Sequence, residues 1–368
     1  MFRIFMPDMA PICVPCPCGP NEAQDGPSPR ESCAHSPPRA GRVRAVFRVV
    51  QGGPRFAPSF AAMQMKKILV PIDTSDPSRA GLRLAIALAQ QDQGTVTALY
   101  VDTDTETVTR TLTEHGRYVD AGRVAAHYLR SVGAAVEAWV QETPGEIRAE
   151  VEIIDDRNAD EAIVRFAAEN DFDLICMSAF GKRGWQKLFL GSTAAAVVRR
   201  SPIPVLTIRK RDPRADDDQL YQDFRKVLVS VDLGEGSADV LRAGIALAVD
   251  APRAELVLAH VIPVPLVQGL YGAPLALPAE SLGAAEEWSE VALRKLLKDN
   301  GVDDACVRVV CDRAGHGILE LERSLVPDVT VVGTHGRHGL DRLALGSVAE
   351  HVIRAATGPV LTVPVRAA

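Results

Sequence analysis

The sequence has few aromatic residues, no excess of positive charge and no long apolar run. Aromatic residues make up 5% of the 368 residues, which does not suit a surface on which bases stack. The formal net charge is −6, so electrostatics favours neither nucleic acid nor an anionic membrane surface as a partner. No apolar run approaches the roughly 20 residues that a membrane helix needs. We therefore expect no nucleic-acid partner and no membrane partner.

Motifs that carry chemistry in several enzyme classes are also missing. There is no GxxxxGK[ST] loop, and therefore no lysine placed for phosphate groups. Neither a Ser-Gly-Gly pyrophosphatase loop nor a His-x-Gly-His adenylylation motif occurs. The acidic runs 155–156 and 216–218 are expected to be solvated loops. Five histidines lack metal-ligand spacing and are expected on the surface or in turns: His260, His316, His335, His338 and His351. We predict no catalytic residue and no metal site among these groups.

The seven cysteines are divided unevenly along the chain. Cys176, Cys306 and Cys311 occur in or before apolar runs and are expected to be core residues of a reducing compartment, which favours a cytoplasmic location. Residues 1–64 are rich in Pro, Arg and Cys and show no period, which is typical of a disordered tail. Two alternatives are a zinc site, whose candidate ligands are Cys13, Cys16, Cys18 and Cys33 or His35, and a true start at Met65, since MKKILVPID suits the opening of a strand.

From residue 66 onward, short apolar runs alternate with segments of helical period. Six runs in the first half predict strands, at 68–72, 96–101, 136–140, 151–154, 174–177 and 204–208. Segments 82–94, 104–132, 160–170 and 193–200 have helical character. Strands that alternate with helices predict an α/β fold, with a parallel sheet covered by helices on both faces. Ligands of such sheets bind at the carboxyl ends of the strands.

The second half of the chain repeats the first. KVLVSVD at 226–232 matches KILVPID at 67–73, an offset of 159 residues, and PVLTV at 359–363 matches PVLTI at 204–208, an offset of 155. Matched order over a whole unit indicates a duplicated domain. We therefore predict a domain at 65–210 (repeat 1), a charged linker at 211–221 and a domain at 222–368 (repeat 2).

Repeat 2 contains a glycine motif between a strand and a helix. Gly333 and Gly336 follow the apolar run 329–332, and Gly346 and Ser347 open a segment with a helical apolar stripe. Glycine allows backbone N–H groups to approach an anion closely, and a helix N-terminus directs free N–H groups and partial positive charge at the same point. The pattern favours a phosphate-binding loop.

Taken together, the repeat and the Gly-x2-Gly-x9-Gly-Ser motif resemble the universal stress protein family in its tandem two-domain form. The resemblance implies two five-stranded parallel sheets of Rossmann-like, adenine-nucleotide alpha-hydrolase-like type. It also implies that ATP, or AMP or ADP, binds between the first strand and the glycine loop, with Mg²⁺ able to accompany ATP. Asp232 and Val261 would contact the adenosine, and four residues would hold ribose and phosphates: Gly333, Gly336, Gly346 and Ser347. His335, Arg337 or Arg342 would neutralise phosphate charge or face solvent.

Repeat 1 departs from this motif at its first position. It has Ser178, Gly181, Gly191 and Ser192, and a serine Cβ restricts positive φ values and close approach. Asp73 and Val101 stand where repeat 2 has Asp232 and Val261. We therefore expect nucleotide to bind more readily in repeat 2 than in repeat 1.

Three functions follow from these observations. The first is a stress-response protein that binds adenine nucleotide. The second is a scaffold of the same fold that acts through unidentified protein partners without nucleotide, and the third is a slow ATPase, for which no general base is identified. The final strands of the two repeats would be sheet edges, and we expect them to pair with each other inside the chain. A homodimer remains a further option.

Overall fold

The computed structural model describes the chain in ten segments. They are 65–73, 75–91, 93–103, 121–142, 148–180, 190–209, 224–248, 254–263, 279–334 and 345–365. Residues 1–64 with the candidate zinc ligands, the predicted linker, Gly181 and Gly336 lie outside these segments.

The described segments contain ten strands and eight helices. The strands are β1 (Lys67–Ile72), β2 (Thr95–Asp102), β3 (Arg148–Asp155), β4 (Leu174–Ser178), β5 (Val205–Ile208), β6 (Lys226–Val231), β7 (Glu255–Pro263), β8 (Cys306–Asp312), β9 (Val329–Gly333) and β10 (Val360–Val363). The helices are α1 (Asp76–Gln91), α2 (Ala121–Gln141), α3 (Ala159–Glu169), α4 (Ser192–Arg200), α5 (Ser237–Ala248), α6 (Ala279–Asp299), α7 (Ala314–Leu325) and α8 (Ser347–Ala355).

All ten strands form one sheet, in the order β3-β2-β1-β4-β5-β10-β9-β6-β7-β8. Neighbouring strands within each repeat are parallel, as expected for strands connected through helices. The two final strands, β5 and β10, pair antiparallel, with Leu206 opposite Leu361. The sequence predicted this pairing of the two repeats through their last strands.

Helices cover both faces of the sheet. Residues of α1, α2, α5 and α6 pack on one face, where Leu82 and Leu293 are fully buried. Residues of α3, α4, α7 and α8 pack on the other, where Val197 and Val352 are fully buried. Each of these two cores contains residues of both repeats, so the apolar interior continues across the β5–β10 pair. Such burial on both faces explains why the strands are continuous apolar runs.

An arginine of repeat 1 also contacts a helix of repeat 2. Arg209, which follows β5 and is 9% exposed, donates hydrogen bonds from Nη1 to the carbonyl oxygens of Arg354 and, at 3.0 Å, Ala356. These carbonyls belong to the last turn of α8, where helical partners run out. The guanidinium carbon also lies 5.2 Å from the centre of the Phe180 ring. Arg209 therefore joins the end of α8 to the turn that follows β4.

An aspartate before the fourth strand of each repeat holds the start of the first strand. Asp173 Oδ2 accepts hydrogen bonds from the backbone N–H groups of Lys66, at 3.0 Å, and Lys67, at 2.8 Å. Asp328 Oδ2 accepts one from the N–H of Lys226 at 2.8 Å. The matched pair Asp173 and Asp328 is thus a structural feature of both repeats, at the edge of the sheet opposite the strand carboxyl ends.

Replacing Asp328 with alanine should lower the free energy of unfolding by about 1.5 kcal/mol, because a hydrogen bond from a backbone amide to a charged acceptor is lost. The Asp328→Asn variant keeps an acceptor oxygen and should lose less. Urea denaturation followed by circular dichroism measures both. Equal stability of Asp328→Ala and the parent protein would contradict this role.

One predicted strand is wrong. Segment 136–140 lies within α2, and the described residues of repeat 1 form five strands rather than the six predicted. Val136 is fully buried, and Trp139 and Val140 pack on the same core at i+3 and i+4, which is helical spacing. The apolar residues of this segment are those of one helix face. Their close spacing resembles a short strand when the rest of the helix is ignored.

The cysteine prediction holds for one residue and is wrong for two. Cys176 is fully buried in β4, but Cys306 and Cys311 are only half-buried, because β8 is the last strand of the sheet. Burial and the hydrogen bond to Glu286 raise the pKa of the Cys311 thiol to about 11.

None of the helices in the described residues combines the length and the apolar character that a membrane span requires.

Candidate functional site

Three predicted site residues of repeat 2 meet where neighbouring strands end. In the sheet, Ser230 of β6 lies opposite Val332 of β9, and Val231 lies opposite His260 of β7. The next residues along these strands, Asp232, Gly333 and Val261, are therefore neighbours at the carboxyl edge. Asp232 lies between the other two. This edge is where parallel α/β sheets bind ligands.

The N-terminus of α8 is attached to the same edge. The Gly346 N–H donates to the carbonyl oxygen of Thr334 at 2.9 Å, and the Thr334 N–H donates to Val363 of β10 at 2.9 Å. Gly346 is the N-cap of α8, with φ −58° and ψ 137°, and no side chain of the described residues caps the helix. The first N–H groups of α8 consequently have no acceptor from a capping side chain. These N–H groups can donate hydrogen bonds to an anion.

Ser347 adds a hydroxyl to these amides. It is the first residue of α8, it is exposed, and its side chain makes no hydrogen bond to another described residue. A serine hydroxyl can donate to a phosphate oxygen. Gly346 and Ser347 thus present backbone and side-chain donors at one helix end, as the sequence predicted.

Asp232 is half-buried and held by its own turn. Its Oδ1 accepts hydrogen bonds from the Gly234 N–H at 2.9 Å and from Ser237 Oγ at 3.3 Å. These contacts orient the carboxylate at the end of β6. A carboxylate in this position can accept hydrogen bonds from the hydroxyl or amino groups of a nucleoside.

Val261 forms an apolar wall on the other side of Asp232. It is 5% exposed and belongs to the core beneath α7 and α8. A Cβ on Gly317 of α7 would lie 2.8 Å from Val261 Cγ1, so glycine there allows the helix to pack directly on this valine. The position of Val261 is therefore set by the start of α7 as well as by β7.

The corresponding residues of repeat 1 are arranged similarly but have more internal contacts. The Gly191 N–H donates to the Ala179 carbonyl at 2.9 Å, and Gly191 has the same N-cap geometry, with φ −59° and ψ 143°. Ser192 is exposed at the start of α4, and Val101 of β2 is half-buried next to Asp73 in the register. The framework of the site is thus present in both repeats.

Asp73 differs from Asp232 in its partners. Its Oδ1 accepts hydrogen bonds from the Ser75 N–H at 3.1 Å, from the Ser75 hydroxyl at 2.5 Å and from the Ser78 hydroxyl. Repeat 2 has Gly234 in place of Ser75. Among the described residues, two serine hydroxyls therefore reach Asp73 and one reaches Asp232.

Ser178 does not act through the backbone strain that the sequence suggested. Among the described glycines only Gly301 has a positive φ, so Gly333, the counterpart of Ser178, needs no left-handed conformation. This part of the prediction is wrong. Instead, the Ser178 hydroxyl donates to the Phe180 carbonyl oxygen at 2.8 Å and accepts from the Phe180 N–H at 3.2 Å. These two hydrogen bonds join Ser178 to Phe180 within the turn that follows β4.

One buried residue beside the site was missed. His260 was expected on the surface or in a turn, but it is buried in β7, with Nδ1 2.8 Å from the Val231 carbonyl oxygen. It therefore fixes the residue that precedes Asp232. Its place inside the apolar run VLAHVI was the available signal. His316 and His351 are exposed, as expected, whereas His335, His338, Arg337 and Arg342 lie outside the described residues.

A histidine and an aspartate contact each other at the end of β8, next to the start of α7. His316 Nδ1 is 2.5 Å from Asp312 Oδ2. Burial acts to raise the pKa of Asp312, but hydrogen bonds from His316 and from the Arg313 N–H outweigh it and hold the pKa below its usual value. No group of three His, Cys, Asp or Glu side chains in the described residues could hold a metal ion.

The chain is similar in sequence to known proteins. The sequence profile of the universal stress protein family matches residues 65–209 and 223–364. A universal stress protein of Mycobacterium tuberculosis is 30% identical over 200 residues, which span 52% of this chain and 62% of that protein, less than two thirds of its length. A universal stress protein E homolog of Haemophilus influenzae is 22% identical over 303 residues, covering 79% of this chain and 94% of that protein.

Solved structures agree on the fold. The crystal structure of a universal stress protein from Archaeoglobus fulgidus overlaps with a TM-score of 0.52 at 20% identity, covering 83% of this chain and 98% of the other. Other universal stress proteins have been solved in complex with cAMP, with a TM-score of 0.29, and with dAMP, with a TM-score of 0.28. With two consecutive matches to the family profile and a matching fold, the chain belongs to the universal stress protein family.

Proposed function

We propose that this protein binds an adenine nucleotide, ATP in the first place, at the carboxyl edge of repeat 2. The observation that carries the proposal is the start of α8, where the N-cap is a glycine and no described side chain caps the first helical N–H groups. The strand ends at Asp232 and Val261 lie beside the same edge. These features support a site in which helix amides hold phosphate and the strand ends contact the nucleoside.

Each group has a role in this proposal. The amides of the first turn of α8 and the Ser347 hydroxyl hold phosphate oxygens. Asp232 accepts hydrogen bonds from the ribose or the base, and Val261 contacts the adenosine. Mg²⁺, where it accompanies ATP, would be held mainly by the phosphates, because the described residues provide no metal-binding cluster. The proposed role is binding rather than catalysis.

Repeat 1 is proposed to bind nucleotide more weakly. Its helix start is equivalent, but Asp73 is engaged by two serine hydroxyls. A ligand would have to compete with these internal hydrogen bonds. We therefore expect one strong site and one weaker site in each chain.

Direct measurement of bound nucleotide tests the proposal. The full chain is purified, denatured and analysed for released ATP, ADP or AMP by ion-exchange chromatography. The nucleotide-free protein is then titrated with labelled ATP, with AMP and cAMP as related ligands and GTP as the control for base selectivity. We expect saturable ATP binding with one strong site for each chain. If no nucleotide is released and added ATP does not bind, the proposal is contradicted and the scaffold function is favoured.

A further inference from the structure

Helix α6 exposes two large apolar side chains to solvent. Trp288 is 59% exposed and Val291 is 62% exposed, and they lie one turn apart. Among the described residues only one other large apolar side chain is as exposed, Val326 at the end of α7. A tryptophan in water leaves a large apolar area uncovered, which is favourable to bury against a partner.

The opposite face of α6 is fully used in the fold. Leu293 and Leu297 are buried in the core, and the buried Ser289 hydroxyl donates to the Ala285 carbonyl at 2.7 Å. The helix is therefore docked firmly on the sheet through one side. Its outer face carries Trp288 and Val291 as a surface that the described part of the chain leaves exposed.

Charge is divided between the two halves of α6. Its first half has the exposed acids Glu286 and Glu287, and its second half has the exposed bases Arg294, Lys295 and Lys298. The second half also has two exposed acids, Glu290 and Asp299, and these pair with Arg294 and Lys295 within the helix. Two copies of this helix that run antiparallel would place acids opposite bases at both ends. A parallel pair would place like charges together, and a partner of one charge sign would match only half of the helix. The charge pattern is complementary to itself.

We propose that the outer face of α6 is a dimer interface for a second copy of this chain. The two helices run antiparallel about a two-fold axis that passes close to Val291. Trp288 of each copy then packs against the apolar patch formed by Trp288 and Val291 of the other. In such an interface the same patch is used twice, so the contact of residue i with residue j occurs at both ends. The proposal does not depend on nucleotide binding.

Two charged residues are available for contacts across the axis. Arg294 pairs with Glu290 at 2.6 Å and Lys295 with Asp299 at 2.6 Å within the helix. In the part of the chain that the structure describes, neither Glu287 nor Lys298 belongs to an ion pair. Antiparallel pairing brings Glu287 of one copy towards Lys298 of the other.

The size of the helix predicts a weak dimer. With 21 residues, α6 is about 30 Å long. One helix face on each side buries an area at the low end of specific interfaces, which is typical of reversible association. The dimer should therefore dissociate on dilution.

Sedimentation velocity on the full chain, from about 1 μM to about 1 mM, tests the interface. We expect a concentration-dependent shift from monomer to dimer, and Trp288→Asp should weaken dimerisation at least tenfold. Val326→Asn removes an exposed valine elsewhere and should leave dimerisation unchanged. Circular dichroism confirms that the variants are folded. A monomer throughout the range, or a dimer that tolerates Trp288→Asp, would overturn the proposal.

A charge exchange tests the antiparallel arrangement. Glu287→Lys alone and Lys298→Glu alone should each weaken the dimer, because like charges meet at both ends. The double variant restores opposite charges and should recover the parent affinity. A double variant as weak as either single variant would exclude this pairing of the helices.

Discussion

Replacing Gly346 with valine is expected to abolish ATP binding in repeat 2 while the fold remains intact. The backbone at Gly346, with φ −58° and ψ 137°, is in a region that β-branched residues adopt without strain. Its N–H can still donate to the Thr334 carbonyl oxygen. The added side chain, however, would stand at the helix end where phosphate is proposed to lie. We expect the ATP dissociation constant to rise about 100-fold or more.

The duplicated chain supplies a matched control for this experiment. Gly191 has almost the same backbone conformation at the start of α4. Gly191→Val should leave the strong site unchanged and affect only weaker binding to repeat 1. Isothermal titration of both variants in the full chain measures the difference, and this design keeps β5 and β10 paired, unlike separate expression of the halves. Unchanged affinity in Gly346→Val would remove this site from consideration.

Replacing Arg209 with alanine is expected to give the largest loss of stability, about 3 kcal/mol. The substitution removes two hydrogen bonds to the last carbonyls of α8 and the contact with the Phe180 ring. The Ala356 and Arg354 carbonyl oxygens would lose a charged donor at a buried contact between the repeats. Urea denaturation measures the change in the free energy of unfolding.

Lysine at position 209 separates charge from geometry. Arg209→Lys keeps a positive charge but lacks the planar guanidinium that serves two carbonyls and stacks on a ring. We expect its stability to lie between those of the parent protein and Arg209→Ala. A change of less than about 0.5 kcal/mol in Arg209→Ala would show that this contact contributes little.

Much of the architecture could be predicted because it depends on patterns within each repeat. Apolar runs followed by Asp73 and Asp232 mark the first strand of each copy, and the same runs recur in the same order. Segment 136–140 was assigned to a strand because it contains a short cluster of apolar residues. In the structure, Val136, Trp139 and Val140 are the residues through which a helix packs on the sheet. Only the polar residues around it, seen over the whole of α2, distinguish the two structures.

The site could be predicted less completely, since part of it depends on contacts between distant residues. The positions of Gly346 and Ser347 at a helix start follow from local sequence. The engagement of Asp73 by Ser75 and Ser78 depends on side-chain directions in a folded turn. The burial of His260 depends on the strands beside it. The contact of Arg209 with α8 joins Arg209 to Arg354, 145 positions apart in the chain.

The antiparallel contact of β5 with β10 sets the direction in which the strands of one repeat run relative to those of the other. Strands within each repeat are parallel, and the two repeats join through an antiparallel pair. The carboxyl ends of their strands therefore lie at opposite edges of the sheet. Two nucleotides bound at these edges would never touch, and one ligand could not bridge them. Since both strands belong to one polypeptide, dilution cannot separate the halves. The residues at one carboxyl edge can thus differ from those at the other, as Ser178 differs from Gly333, while the two repeats stay joined.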